Sequence, residues 1–492
     1  MPERAEKHRG SGREHEGTGH QGAVSGRLLG GEAWLDRMRH ALWRHRAVGL
    51  RDPSRGGSLN RARHVSQVLE FALDLGELLL SSGQGAEDVE AAMLGVTRAY
   101  GLPRCDPQVT FTMLSLSYLP DEEQGFQTAT RTARRRAANH SRLQDAHRLL
   151  ASVVAGTVNA AAARARLDQI RTAPSPYPGW SAPLAAGALA ASASLLVGGH
   201  WSLLAIVGFG TAFCAAALGD LLAIWLGRAG VPEFYQFIAG AVPASASGVL
   251  LAAAGAGLQG SFVITGGLYA LLPGRALVAG VEDGLTTFYL TASARLLEVG
   301  YLVTGIVLGV LVVLPAGNYL GAELRPEESF GRDSLPVLQL LAAALVSAAL
   351  AVLLQCPPKI LLLVTVNGTS GWAVFGVLTA RGALSPVAAT GAAAILIGLF
   401  GQLLARRRGT TSLLYVTAAL GPLLPGSAVY LGILAFIQGR TDQGLAELSR
   451  AVALALALAV GVHAGREMAR LAERVPVYTV RPRDAAQQTR GY

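Results

Sequence analysis

The sequence predicts an α-helical membrane protein of about ten transmembrane helices, arranged as two inverted five-helix repeats and preceded by a small α+β cytoplasmic domain. Three observations predict it. Hydrophobic residues make up 51% of the 492 and charged residues only 15%, with a mean hydropathy of +0.38, which overrides the soluble multi-domain reading that length alone favours. The charges also segregate. Residues 1–171 and 466–492 hold most of the Arg and Lys, and between them lie apolar runs of roughly 18–25 residues, long enough to span a bilayer. Finally, one ten-residue pattern occurs twice, as LLPGRALVAG at 271–280 and LLPGSAVYLG at 423–432, an offset of 152 residues.

Residues 1–60 are polar, rich in Arg, Gly and His, and lack the apolar stretch of a signal peptide, so they predict a disordered basic segment. Residues 61–172 predict the cytoplasmic α+β domain. SQVLEFALDLGELLLSSG, from Ser66, carries a helical apolar stripe that ends at Gly83 and Gly85, and a second helix runs from about Ala86 to Tyr100 before Gly101 and Pro103. In residues 108–119 Val109, Phe111 and Met113 alternate with polar neighbours, which predicts a strand. DEEQG is its turn and FQTATRTA its partner. One long helix is expected from Asn139 to about Arg171.

Residues 173–181, with PSPYPGW, form a stiff Pro-rich linker in which Trp180 suits a membrane interface. Residues 182–315 predict the first five-helix membrane repeat, 316–334 an external loop, 335–465 the second repeat, and 466–492 a basic cytoplasmic tail. The ten spans fall near 182–198, 201–226, 234–257, 261–280, 290–314, 335–354, 359–379, 384–404, 411–435 and 446–464. With both termini in the cytoplasm, the inner loops carry Arg228, Arg275, Lys359, Arg406 to Arg408 and the tail. The outer ones carry Arg325, Arg332, Arg381 and Arg440, a bias that follows the positive-inside rule. An odd number of spans per half makes the second half enter the membrane the other way up. RAGVPEF at 228–234 and RGALSPV at 381–387 echo the same register.

The net charge of +9 is read as basic segments facing anionic lipid rather than as a nucleic-acid signature. Cys105, Cys214 and Cys356 are widely spaced and odd in number, which argues against a disulfide framework. Neither a metal nor a cofactor is predicted.

A Pro-Gly pair breaks a helix, because Pro has no N–H to donate and Gly relaxes the backbone. Inside a bilayer such breaks survive only where protein or a watery cavity satisfies the freed groups, and paired breaks in two halves point to a transporter's substrate site. Candidate pathway residues are therefore Pro273, Gly274, Pro425, Gly426 and the polar groups near them. Arg275, Glu282, Asp283, Thr287 and Arg295 follow the first break. They read either as an inner loop with an Arg295–Glu298 pair or as a pathway in which Asp283 meets an amine or proton and Arg275 a carboxylate. Ser427 and Tyr430 follow the second. Asp220, in the second span, is either an interfacial residue paired with Arg228 or a proton-coupling carboxylate. Asn367, in VNGTSGW, lines a cavity or kinks a helix.

In the α+β domain, Glu87, Asp88 and Glu90 favourably oppose a helix dipole. Ser81, Ser82, His140 and His147 invite a hydrolase reading, but no G-x-S-x-G elbow accompanies them. The Arg run 131–148 reads as a solvated or headgroup-facing helix face.

Four segments, in this order, resemble the threonine/serine exporter family of bacterial inner-membrane proteins. They are LLLSSGQGAEDVEAAMLGVTRAYG with TFTMLSLS; LDQIRTAPSPYPGWSAPLAAGALAASASLLVGGHW; GGLYALLPGRALVAGVEDGLTTFYLTASARLLEV; and the second LLPG. The resemblance covers roughly residues 65–465. It implies a soluble domain fused to two related five-span modules in the cytoplasmic membrane, exporting threonine and serine at the expense of the proton gradient. The matching positions are Gly83, Glu87, Glu90, Pro273, Gly274, Asp283, Arg295, Pro425 and Gly426, with no role fixed for any of them. The expected partners are a small amino acid, protons and membrane lipid, without nucleic acid, and a homo-oligomer is compatible with the sequence. The alternatives are export of a small dicarboxylate such as succinate, and a membrane-anchored hydrolase with a catalytic soluble domain.

Overall fold

The computed structural model describes residues 58–119, 126–133, 139–198, 203–322, 336–380, 382 and 384–472. The expected disordered segment up to residue 57, the DEEQG turn at 121–125, Arg134 to Arg136 of the Arg run, most of the expected external loop (323–335) and the tail beyond 472 lie outside the described residues.

Helices α1 (Ser58–Ser81) and α2 (Ala86–Ala99) pack on an antiparallel sheet ordered β1 (Cys105–Val109), β2 (Met113–Tyr118), β3 (Gln127–Thr132), followed by α3 (His140–Val154) and α4 (Ala160–Thr172). Helix α1 thus begins at Ser58, inside the segment expected to be disordered. Phe71, Leu75 and Leu79 on its apolar stripe are fully buried with Met93, Leu114, Leu116 and Leu143, the one-sided burial that stabilises a helix on a sheet.

Three expectations need correction. The single strand expected at 108–119 is two strands, because Thr110 turns the chain: its N–H donates to Met113 O at 2.9 Å, and the Met113 N–H returns to Thr110 Oγ1 at 3.2 Å. The single helix expected from Asn139 to Arg171 is also two. Gly156 takes φ +71°, and Asn159 caps the second helix through its bond from the Ala162 N–H at 2.8 Å. The Arg run is no uniform helix face either. Arg131 sits on β3 and pairs with buried Asp74, which also meets Arg171 at 3.1 Å.

The remaining helices are α5 (Ser181–Gly198), α6 (Leu203–Arg228), α7 (Glu233–Ala253), α8 (Gly257–Leu271), α9 (Gly274–Leu285), α10 (Tyr289–Tyr319), α11 (Pro336–Leu353), α12 (Leu361–Ala380), α13 (Pro386–Arg408), the short α14 (Leu413–Val416), α15 (Gly426–Ile437) and α16 (Thr441–Ala472). Among the described residues, seven helices are long and apolar enough to cross a membrane. The pair α8–α9, bent by 52° at the first LLPG, makes an eighth. Shorter apolar helices at Val337–Leu353 and Gly421–Phe436 occupy the sixth and ninth expected positions. The chain is thus a mostly helical membrane protein.

The 152-residue offset extends beyond the motif. Helices α9 and α15 have the same length and begin and end 152 residues apart; so do the starts of α10 and α16 and the ends of α6 and α12. Close packing relies on small residues, as is usual where lipid offers no hydrophobic drive between helices. A Cβ at Gly461 would meet the backbone of Gly391, and one at Gly248 the backbone of Gly260. Leu203, Leu290, Leu297 and Leu362, each more than 70% exposed, form apolar surface suited to lipid.

A Cβ at Gly426 would overlap the Tyr269 ring, whereas one at Gly376 meets nothing within 4 Å. Gly426→Ala is therefore expected to lower the detergent-solubilised melting temperature. Gly376→Ala, in the C-terminal part of α12, should leave it unchanged or raise stability by about 0.5–1 kcal/mol. Thermal unfolding of the two variants side by side checks this.

Candidate functional site

At each LLPG motif the helix does not simply kink; it restarts through the same tight turn. Pro273 has φ −77° and ψ 48°, and the Gly274 N–H donates to Leu272 O at 2.8 Å. Pro425 has φ −79° and ψ 44°, and the Gly426 N–H donates to Leu424 O at 2.9 Å. Both are inverse γ-turns, and each gives way to a twelve-residue helix.

The two turns meet, and their contacts are reciprocal. Gly274 lies against Leu424, and Gly426 against Leu272, so that each glycine touches the partner motif's second leucine. The Tyr269 hydroxyl donates to Gly421 O at 2.6 Å, and those two residues are themselves 152 apart. Contact between a residue and its own repeat equivalent is what a local two-fold relation produces.

The charged groups gather on one side of this junction, against the α+β unit. The connection between α1 and α2, SSGQGA, lies over α9 and α10 and binds them mainly through its backbone. Buried Asp283 accepts from the Ala86 N–H at 3.0 Å and lies 3.2 Å from Arg295, whose side chain is 7% exposed. Arg295 also donates to Gln84 O at 3.1 Å, and Arg275 to Ser82 O at 3.4 Å. Gly83 holds φ +95°, and a Cβ there would run into Arg275 Nη1.

A second layer backs the first. Gln84 donates to Asp88 at 2.6 Å; Arg466 of α16 lies 3.8 Å from Asp88 and pairs with Glu282. Further along, the Asn139 and His140 end of α3 joins the end of α11. The His140 and Ser141 N–H groups donate to Leu354 O and Gln355 O at 3.0 and 3.1 Å, and Asn139 Nδ2 donates to Gln355 Oε1 at 2.6 Å. Burial, assisted by the nearby Arg275 cation, pushes the His140 imidazole down to about 3, so this joint stays uncharged at physiological pH.

Between the α+β unit and α9–α10 lies a cavity of about 130 Å³. Ser81, Phe111 and Thr112 face it from one side, and Arg275, Arg295 and Glu298 from the other.

The structure thus brings Gly83, Pro273, Gly274, Arg275, Glu282, Asp283 and Arg295 to one junction, with Pro425 and Gly426 touching it from the second half. Ser427 opens α15 directly after the second break. Arg295 turns to Asp283 across the α9–α10 corner. Thr287 serves that corner: it occupies the left-handed position of a Schellman motif at φ +71°, with the Phe288 N–H returning to Asp283 O at 2.8 Å.

Two candidates lie elsewhere. Asn367 is 3% exposed, and its amide donates to Ile397 O and Tyr415 O, both at 3.2 Å, tying α12 to α13 and α14. Asp220 on α6 keeps Oδ2 buried without a hydrogen-bond partner, one residue from the Gly219–Gly240 crossing that leads to Leu271 at the break.

In the α+β unit, Glu87 borders the small space between α2, α9 and α16, while Glu90 accepts from the Val109 N–H at 3.2 Å. Burial pushes the Glu90 carboxyl up to about 7, opposed by that N–H bond and reinforced by Asp106 and Glu87.

Sequence reading missed Gln84, Tyr269, Arg466 and Arg470. Arg466 and Arg470 fall within the expected cytoplasmic tail, yet α16 continues to Ala472 and buries both to 6–7% exposure. Their four-residue spacing, on one face of a continuing helix, was the available signal.

A polytopic helical protein with two matching, mutually packed helix breaks belongs among membrane transporters in architecture, and comparison with known proteins makes the class specific. Two family models match, one described as "Putative threonine/serine exporter" over residues 70–316 and one as "Threonine/Serine exporter, ThrE" over residues 339–466. The chain is 34% identical over 419 residues to a protein of Mycobacterium tuberculosis named "Probable threonine/serine exporter", covering 82% of this chain and 77% of the relative. It is 30% identical over 419 residues to the "Threonine/serine exporter" of Corynebacterium glutamicum, covering 84% of each. No solved structure matches. The chain belongs to the threonine/serine exporter family. It is a multi-pass membrane transporter, and that family is not one of enzymes.

Two measurements probe the junction. Asp283→Ala leaves buried Arg295 without its carboxylate and should cost about 3–5 kcal/mol. Adding Arg295→Leu should recover part of that loss, with a coupling of about 1–3 kcal/mol in a double-mutant cycle followed by thermal unfolding.

Glu90 gives a pH signature. The folded protein holds its proton up to about pH 7, whereas an unfolded chain releases it near 4.5, so stability from this group falls as pH rises between those values and is level above them. Glu90→Gln should flatten that part of the melting-temperature profile.

Proposed function

We propose that the chain is a secondary exporter that moves threonine and serine out of the cytoplasm in exchange for protons. In this reading its two five-helix repeats have opposite orientations in the cytoplasmic membrane, and the α+β domain, 61–172, and both termini lie on the cytoplasmic side. The observation that carries it is the reciprocal contact of the two Pro-Gly turns, Gly274 on Leu424 and Gly426 on Leu272. A two-fold axis between repeats of five crossings each gives opposed orientations, and transporters of that construction place substrate where broken helices meet. The cargo follows from the names of the relatives, and the excess of Arg in the expected inner loops supports the orientation.

The proton pathway would involve Asp220 and Asp283. Asp220 has a buried carboxyl oxygen without a partner. Asp283 is held by Arg295 and the Ala86 N–H, so it must part from both before it can carry a proton. Loading is thereby coupled to movement of the α+β unit against α9.

Proteoliposomes filled with labelled threonine and placed in acid medium test this. Efflux should accelerate with the inward proton gradient, collapse with a protonophore, and lose its response to the gradient in Asp220→Asn while membrane insertion is retained. Efflux indifferent to the gradient would remove proton coupling, and release of labelled succinate in place of threonine would replace the cargo.

A further inference from the structure

We infer that His463 on α16 is a proton relay between Asp283 and the cytoplasmic side, working across the small space that α2, α9 and α16 enclose. The inference rests on the proton-coupled export reading above and adds a residue of the second half to the proton route.

The first argument is position. Arg466 and Arg470 follow His463 by three and seven residues, which sets all three on one face of α16. That face turns toward α2 and α9. The three side chains line one space together with Asp88 of α2 and with Glu282 and Asp283 of α9. The space measures about 10 Å³, close to the least that holds one water molecule, and its walls are polar, as a bound water requires. An imidazole and a carboxyl group that share one such water can exchange a proton without touching.

The second argument is chemistry. A guanidinium does not release its proton in a protein. Glu282 is held by Arg466, Asp283 by Arg295 and the Ala86 N–H, and Asp88 by the Gln84 amide. Of the residues lining the space, His463 is the one whose unperturbed charge change falls between pH 5 and 8, and its two nitrogens let it take a proton on one side and release it from the other. Its ring is half-buried, and among the described residues no hydrogen bond fixes it.

The groups that face His463 carry both signs of charge. Glu282 of α9 and Glu467 of α16 favour its cation, while Arg466 and Arg470 favour its neutral form. Helix α2 adds Glu87 and Asp88. From α13 comes Arg406, which donates to Ala469 O at 3.3 Å, and α15 carries no charged residue. Neither state of the imidazole is excluded by such surroundings.

The third argument is the balance of the transfer. When Asp283 is protonated, its proton passes to the water as the water gives one to His463. The carboxyl group becomes a carboxylate, the imidazole becomes an imidazolium, and the water is unchanged. The new carboxylate regains Arg295 and the Ala86 N–H, partners that bind the charged form more strongly, so the geometry drives unloading. His463 then yields its proton to cytoplasmic water and is neutral again.

Proteoliposomes carrying the full chain test this with His463→Gln, which keeps a polar side chain but does not titrate. Gradient-driven efflux of labelled threonine should fall about tenfold or more. Threonine–threonine exchange, which moves no net proton, should stay as in the parent. His463→Glu restores a titrating group, and its efflux should follow a pH profile displaced to acid by about two units, the difference between ordinary imidazole and carboxylate values. Parent-like efflux in His463→Gln would overturn the relay. Should His463→Gln lose exchange as well, His463→Glu decides: a displaced profile sustains the relay, and an undisplaced profile or no transport overturns it. If parent efflux itself ignores the gradient, the proton reading falls and takes the relay with it. A coupled parent beside a parent-like His463→Gln removes the relay alone.

Discussion

A helix interrupted inside an apolar bundle frees N–H and C=O groups that hydrocarbon cannot satisfy, and each such group costs several kcal/mol if left alone. The two interruptions in this chain are each closed by a γ-turn and then packed against one another. That arrangement dictates much of what surrounds it. Gly274 and Gly426 admit the opposing leucine and tyrosine side chains, the Tyr269 hydroxyl takes up Gly421 O, and α9 and α15 restart as helices of equal length. Because the turns pack on one another, the halves cannot slide apart without exposing both of them.

Among the described residues, the α+β unit is bonded to the first of the two breaks, and this is where the repeats diverge chemically. Positions 275, 282, 283 and 295 are Arg, Glu, Asp and Arg in the first half; 152 residues on they are Ser, Leu, Ala and Glu. The charged set turns to the α+β unit: Arg275, Asp283 and Arg295 each reach a backbone group of residues 82–86. The two halves therefore share a mechanical part, the broken helix, while the charges beside the break that hold the α+β unit come from the first half, with Arg466 of the second reaching Asp88 from behind.

Much of this was legible in the sequence. The offset of 152 and the Pro-Gly pairs located both breaks, because Pro and Gly act through local backbone geometry that needs no tertiary context. The apolar runs located the long helices for the same reason. What stayed hidden depended on distant partners. Nothing near Asp88 or Gln84 announces Arg466, nearly four hundred residues away, and Arg466 itself looked like tail because charge was taken as the end of a span. Asn367 read either as a cavity polar group or as a kink, and nothing near it in the chain announced that its NH2 donates to two carbonyls on neighbouring helices while its Oδ1 is buried without a hydrogen-bond partner. The division of residues 108–119 into two strands and of 139–171 into two helices turned on single side chains and one left-handed glycine, features weaker than the periodicity that surrounds them.

On the α+β side, the contact with the first break is made largely by main-chain atoms: Ser82 O, Gln84 O and the Ala86 N–H. Main-chain groups are the same whatever side chain they carry. The three bonds themselves therefore do not depend on which side chains the loop carries, although the buried Gln84 amide adds its own bond to Asp88. Gly83 is the exception, because its left-handed backbone and the guanidinium of Arg275 leave no space for a Cβ. A lineage that varies the exposed positions of this loop around one fixed glycine could retune the α+β unit without loosening its hold on the membrane helices.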